Sequence, residues 1–81
     1  MNARVKLPKE LDGLLRSELE KAIYEAALSR DDELIARRYL IEKTAQIDIA
    51  AELGYERSTV SRRLRYITNE VIRAAVKLGF T

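Results

Sequence analysis

Apolar residues recur at intervals of three and four positions along almost the whole chain, and no segment alternates regularly between apolar and polar residues. The first pattern is typical of amphipathic α-helices, whereas alternation would indicate β-strands. We predict helices at about residues 8–28, 32–42, 45–53 and 57–78. The pattern therefore predicts an all-α protein of four helices, forming a single domain over residues 1–81.

Short breaks separate the four segments, and each contains a residue suited to a helix end. Pro8 stands at the start of the first helix, where its missing N–H costs nothing. Ser29 or Asp31 is the expected N-cap of the second helix, and Thr44 that of the third. Gly54 follows the third helix, where a residue in the left-handed conformation commonly ends a helix.

The expected core combines the apolar stripes of all four helices. In the first three helices its positions are Leu11, Leu15, Leu19, Ala22, Ile23, Ala26, Leu34, Ile35, Tyr39, Ile41, Ile47, Ile49, Ala50 and Leu53. Tyr24, Tyr39 and Tyr66 lie close to the stripes, so we interpret them as core aromatics rather than as groups that stack on nucleic-acid bases.

The fourth helix has two distinct faces. Its apolar stripe follows heptad-like steps of four and three through Val60, Leu64, Ile67, Val71, Ala74 and Leu78. At about 100° per residue, a polar group lies on another side and comprises Ser58, Ser61, Arg62, Arg65 and Asn69. The apolar stripe either packs on the first helix of the same chain or pairs with a second subunit. We expect a homodimer, through this stripe or through the first helix, because a chain of 81 residues can bury only a small core.

Positive charge is concentrated in the last third of the chain. The net charge is only +2, yet residues 57–81 contain six basic side chains and one acidic side chain, whereas residues 30–56 contain four basic and seven acidic ones. This asymmetry is typical of a surface that binds a polyanion. The alternative is an ordinary solvated helix face.

The composition argues against several classes of function. The chain has no cysteine and no histidine, and it shows neither a nucleophile–base pair nor a glycine-rich phosphate loop. We therefore expect a protein that is not an enzyme and that needs no metal or other cofactor. No signal peptide or membrane-spanning run is apparent, so we expect a cytoplasmic protein without a membrane partner.

Residues 49–64, IAAELGYERSTVSRRL, have the pattern of a helix-turn-helix. Ala50 is small where the second helix would cross, and Gly54 tolerates the positive φ that the turn needs. Tyr55 would fill the angle between the helices, and Val60 would anchor the second helix, with Leu64 behind it.

The longer run from Gln46 to Leu64 resembles the helix-turn-helix of small bacterial and phage-type regulators, especially the promoter-reading C-terminal (region 4-like) domain of sigma factors. A Gly-apolar-x-x-x-Thr-Val-x-x-Arg-Leu pattern is common there, and it is matched here by Gly54, Tyr55, Thr59, Val60, Arg63 and Leu64. The stretch from Tyr39 to Ile49 is one residue longer than the usual sigma spacing. The resemblance implies a DNA-binding transcription regulator, in a phage or mobile-element setting.

The resemblance also implies a set of DNA contacts at the start of the second helix of the motif. The residues expected to read base edges in the major groove are Glu56, Arg57, Ser58, Ser61, Arg62 and Arg65. Those expected to bind phosphates are Thr44, Gln46, Thr59 and Arg63. Arginine suits the first role because it can donate a bidentate pair to guanine. The alternatives are that Arg65 pairs with Asn69 or Glu70, and that Arg37 and Arg38 form either a second phosphate patch or ion pairs with Glu33, Glu42 or Glu52.

Two functions follow from these observations. The first is sequence-specific binding to double-stranded DNA by a homodimer that regulates transcription. The second is a protein-interaction module that contacts RNA polymerase or another protein without reading DNA. Alanine at Arg57, Ser58 and Arg62 is expected to abolish duplex binding under the first function and to leave partner binding largely unchanged under the second.

Overall fold

The computed structural model describes residues 5–81, and within that range it is helical and contains no β-strand. The helices are α1 (Arg16–Glu25), α2 (Arg30–Ala36), α3 (Gln46–Leu53) and α4 (Arg57–Lys77). A π-helical turn, Arg37–Ile41, continues directly from α2. The predicted all-α architecture is confirmed, and the third and fourth helices lie within a residue of their predicted bounds.

The first helix is shorter at both ends than the sequence pattern predicted. Gly13 has a φ of 101°, which is incompatible with a helix and separates the preceding turn from α1. In that turn, the backbone N–H groups of Leu11 and Asp12 both donate to the Pro8 carbonyl at 2.9 Å. Leu11 is nevertheless fully buried, as predicted. At the other end the helix stops at Glu25, and Ala27 follows with a φ of 52°.

The second and third helices begin with different kinds of cap. Ser29 is the N-cap of α2, as predicted, and its hydroxyl accepts the Asp32 N–H at 3.3 Å. Thr44 does not cap α3, because its N–H closes the preceding helical segment by donating to the Arg38 carbonyl at 2.9 Å. The N-cap of α3 is therefore Ala45, which has no side-chain hydrogen bond to offer.

The core is built from one side of each helix, and α4 packs against α1, α2 and α3. Its fully or almost fully buried side chains are Leu11, Leu19, Ala22, Ile23, Ile35, Ala36, Leu40, Ile49, Ala50, Val60, Leu64, Ile67, Val71, Ala74 and Ala75. Burying a large aliphatic side chain stabilises a fold by about 1.5–3 kcal/mol. The apolar stripe of α4 thus lies inside the chain's own core, as one of the two alternatives expected.

Six of the expected core residues are exposed instead. Tyr24 is 82% exposed, Leu15 65%, Ile47 60% and Tyr66 57%, and Leu34 and Leu78 are also exposed. Tyr24 lies one residue from the buried Ile23 and Ile47 lies two residues from the buried Ile49, so helical rotations of about 100° and about 200° turn them toward the surface. Leu40, which the stripe pattern did not select, is fully buried because the π-helical turn changes the register of the residues after Ala36.

Among residues 5–81, no helix combines the length and the apolar character required to cross a lipid bilayer.

Candidate nucleic-acid interface

The connection between α3 and α4 is a tight turn centred on Gly54. Gly54 has a φ of 74°, which confirms the predicted left-handed residue at the end of α3. The Ala50 carbonyl accepts the backbone N–H of Gly54 and also that of Tyr55, at 2.9 Å for the latter. A side chain at Gly54 would meet no neighbouring atom, so its positive φ, rather than lack of space, favours glycine. The turn is therefore closed by backbone bonds and α4 begins only three residues after Gly54, at Arg57.

A polar network ties this turn to the start of α2. The Tyr55 hydroxyl donates to Asp31 Oδ2 at 2.7 Å, and Arg63 Nε donates to Asp32 Oδ1 at 2.7 Å. The Arg63 guanidinium also lies 6.0 Å from the centre of the Tyr55 ring. The hydrogen bond to Asp31 raises the pKa of Tyr55, since it stabilises the protonated phenol beside a carboxylate. We name these four residues the α2–α4 clamp.

The clamp contains the one buried charged residue among those described, Asp32, which is 8% exposed. A buried carboxylate is costly unless it is paired, and Arg63 provides the pairing. This contact was not predictable from the sequence, because Asp32 and Arg63 are 31 positions apart. The adjacent aspartates were explained by the N-terminus of a helix, and nothing in a single sequence connects them to Arg63.

The six residues expected to read bases lie together on one exposed surface. Ser58, Ser61, Arg62 and Arg65 lie on the sides of α4 turned away from its buried stripe, Arg57 is exposed in the first turn of α4, and Glu56 is the exposed N-cap of the same helix. We call this set the α4 polar face: Glu56, Arg57, Ser58, Ser61, Arg62 and Arg65. Among the described residues, the side chains of this face make only one hydrogen bond to another side chain. Arg62 Nη2 donates it to Thr59 Oγ1 at the long distance of 3.4 Å.

The arginines of the α4 polar face lack acidic partners in the described part of the chain. None of Arg57, Arg62 and Arg65 comes within 4.0 Å of a carboxylate oxygen of residues 5–81. The alternative pairing of Arg65 with Asn69 or Glu70 is absent there, and Glu70 pairs with Arg73 at 3.4 Å instead. Three guanidinium groups thus point into solvent without local neutralisation.

The four residues expected to bind phosphates are less alike. Thr44, Gln46 and Thr59 are half-buried, and Gln46 lines a surface cleft together with Ser61 and Arg65 of the α4 polar face. Arg63 faces the clamp, where its Nε is already bonded to Asp32. The structure therefore brings Gln46 to the α4 polar face and gives Arg63 a role inside the protein; its phosphate contact stays a prediction.

Arg37 and Arg38 both form ion pairs, Arg38 with two of the expected glutamates and Arg37 with Glu20, which was not among those expected. Arg38 pairs with Glu42 at 2.9 Å and with Glu52 at 3.5 Å, and Arg37 pairs with Glu20 at 3.7 Å. The hydrogen bond to Glu42, followed by the charge of Glu52, raises the pKa of Arg38. These acids largely neutralise the arginines of the π-helical turn. The arginines of the α4 polar face, by contrast, have no acidic partner among residues 5–81.

Comparison with protein-family models, with curated proteins and with solved structures yields no match. Within residues 5–81, no three acidic side chains lie close enough together to hold a metal ion.

Proposed function

We propose that this protein binds double-stranded DNA sequence-specifically and regulates transcription, with α3, the Gly54 turn and α4 acting as a helix-turn-helix. The observation that carries the proposal is the α4 polar face. A helix with roughly 10–12 Å diameter matches the major groove, which is about 12 Å wide. The buried stripe of α4 supports this use, because it holds the helix on the core while its opposite side stays exposed.

In the proposed complex, the N-terminal part of α4 enters the major groove. Arg57 and Arg62 donate to guanine, and each such bidentate contact discriminates against a wrong base by about 1–3 kcal/mol. Ser58 and Ser61 are short, so the helix backbone can approach the base edges. Gln46 and Thr59 bind flanking phosphates, which position the helix without reading sequence.

We propose that the functional unit is a homodimer, because regulators of this type read two half-sites related by twofold symmetry. The apolar stripe of α4 is occupied by the chain's own core, so a second copy must use another surface. The first helix is the remaining candidate, and the strong exposure of Tyr24 on α1 favours it.

Selection of bound duplexes from a random pool, at near-physiological salt, tests the proposal. We expect enrichment of a defined sequence, and a palindrome would support the homodimer. Recovery of one unrepeated half-site would support DNA reading by a monomer. A pool without any enriched sequence would overturn sequence-specific binding.

A protein-interaction module is the second candidate function. It is favoured by exposed apolar side chains away from the α4 polar face, namely Tyr24 on α1 and Val76 near the end of α4. Under this function, these side chains would contact RNA polymerase or another protein. Binding of a polymerase preparation that survives alanine at Arg57 and Arg62, but is lost with serine at Tyr24 and Val76, would support it.

A further inference from the structure

The segment before α1 forms part of a cleft beside the α4 polar face. Leu7 packs against the core and Leu11 is fully buried, so the segment is fixed on the body of the protein although it is not helical. Lys6 is exposed next to Leu7 and borders the cleft. Gln46, Ser61 and Arg65 line the same cleft. Residues from three separate parts of the chain thus meet at one place.

The polar groups of this cleft are suited to an anion. Besides Lys6, Gln46, Ser61 and Arg65, its lining residues are Pro8, Tyr39, Leu64 and Thr68. Two cations and several neutral donors are therefore present, and no carboxylate is among them. Thr68 takes little part, because its hydroxyl already donates to the Leu64 carbonyl at 2.8 Å.

Other surface clefts of the described chain differ in charge. The cleft between α1 and α2 contains Glu20, Glu25 and Glu33, and the cleft between α1 and the end of α4 contains Glu25 and Glu70. Carboxylates repel an anion and pair with the nearby cations, so neither cleft attracts a phosphate group. The absence of acidic groups distinguishes the cleft at Lys6.

We propose that this cleft binds one backbone phosphate of the DNA duplex, held jointly by Lys6 and Arg65, with Gln46 and Ser61 as neutral donors. The proposal rests on the proposed function, because Ser61 and Arg65 belong to the α4 polar face. It adds a contact from outside the helix-turn-helix, and it assigns Arg65 to a phosphate rather than to a base. Such a contact increases affinity and fixes orientation, but it carries no sequence information.

The test compares Lys6→Ala with Lys9→Ala in the full chain. Lys9 is also exposed and lies in the same segment, but it does not line the cleft, so both variants lose one charge. The probes are the selected duplex and an unrelated duplex of equal length. At about 0.1 M salt, we expect Lys6→Ala to weaken binding to both duplexes about three- to eightfold, as the loss of about half to one released counterion implies. Lys9→Ala is expected to change affinity less than twofold, roughly, since it makes no direct phosphate contact.

The salt dependence of the double variant Lys6→Ala/Arg65→Ala tests whether both cations bind the same phosphate. A single phosphate predicts that the slope of log affinity against log salt becomes shallower by about 0.9 in total. The affinity loss between about 50 and about 200 mM salt then shrinks about 3.5-fold. A change of about 1.8 would mean two separate phosphates and would overturn the shared site.

Failure of this proposal is distinguishable from failure of the proposed function. If Lys6→Ala behaves like Lys9→Ala while alanine at Arg57 and Arg62 abolishes binding, the phosphate site is wrong and DNA binding stands. If Lys6→Ala weakens only the selected duplex, the contact is to a base and the proposal is also wrong. If the unaltered protein binds no duplex, both proposals fail.

Discussion

The two halves of α4 share one buried stripe but expose different chemistry. In the first half, Arg57, Arg62 and Arg65 have no acidic partner among residues 5–81. In the second half, Arg73 pairs with Glu70 at 3.4 Å and Lys77 pairs with Glu25 at 3.0 Å. The cations of the second half are thus compensated by the protein itself. In the first half only Arg63 is compensated, by Asp32, and the other three arginines are left for an external anion.

The comparison shows that the number of basic residues is a poor guide to a binding surface. The second half of α4 and the π-helical turn also contain basic side chains, but carboxylates lie within 4.0 Å of them. Exposed ion pairs of this kind contribute little to stability, typically about 0–1 kcal/mol. Their main consequence here is electrostatic, because a neutralised surface does not attract DNA.

The largest expected effect comes from removing the uncompensated arginines. We predict that Arg57→Ala/Arg62→Ala weakens binding to the selected duplex by at least about 30-fold, because two contacts of about 1–3 kcal/mol each are lost. The matched control is Arg73→Ala/Lys77→Ala, which removes the same charge from the compensated half of the helix and is expected to cost only a few-fold. Fluorescence anisotropy measures both affinities, and circular dichroism checks that helicity is retained. Equal losses in the two variants would contradict the distinction between the halves.

The second-largest expected effect is on stability, and it distinguishes Arg63 from the adjacent Arg62 in the first half of α4. Arg63→Ala leaves Asp32 buried without its partner, so we expect the free energy of unfolding to fall by about 1–2 kcal/mol. This figure allows for the Arg63 side chain being 39% exposed. Arg62→Ala is the control and is expected to change stability by less than about 0.5 kcal/mol while weakening DNA binding. Urea unfolding of both variants measures the difference, and a stable Arg63→Ala protein would show that the α2–α4 clamp is dispensable.

The smallest effect concerns the response of the clamp to alkaline pH. The pKa of Tyr55 is raised in the folded protein by its hydrogen bond to Asp31, so folding favours the protonated phenol. The stability from this bond is fully present below the ordinary tyrosine pKa of about 10, and it is lost as the pH rises through the raised value.

We therefore predict that Tyr55→Phe lowers stability slightly at neutral pH and flattens its decline above about pH 10. Urea midpoints measured at several pH values provide the comparison. Tyr66→Phe, which alters an exposed tyrosine on α4, is expected to retain the steeper decline. Identical alkaline profiles for Tyr55→Phe and the unaltered protein would refute the role assigned to the bond.

Several local features were predictable because the responsible residues are neighbours in sequence. Ser29 caps α2 and Gly54 ends α3, and both effects depend on hydrogen bonds or dihedral angles within a few positions. Gly13 was harder to interpret, because a glycine within an apolar stripe only weakens a helix unless its φ becomes positive. The stripe therefore predicted a helix from Pro8, whereas the chain forms a turn there and buries Leu11 without helical structure.

The π-helical turn was beyond prediction from a stripe of regular period. A π-helical turn holds about one residue more than an α-helical turn, so it shifts the register of the residues that follow it. Within this turn, Leu40 is fully buried and Arg38 contacts Glu52 of α3. Both features depend on packing between separate helical segments, so the spacing of apolar residues along the chain does not reveal them.

The sequence by itself determined the helical class, the position of the Gly54 turn and the separation of α4 into an apolar stripe and a polar face. These properties follow from the helical repeat and from the conformational freedom of glycine, which act over a few residues. Only the tertiary structure decided which cations remain uncompensated, because ion pairs such as Asp32–Arg63 and Glu25–Lys77 join residues far apart in the chain. Packing of Leu7 and Leu11 against the core also brings the first segment to a cleft that Lys6 and Arg65 both line.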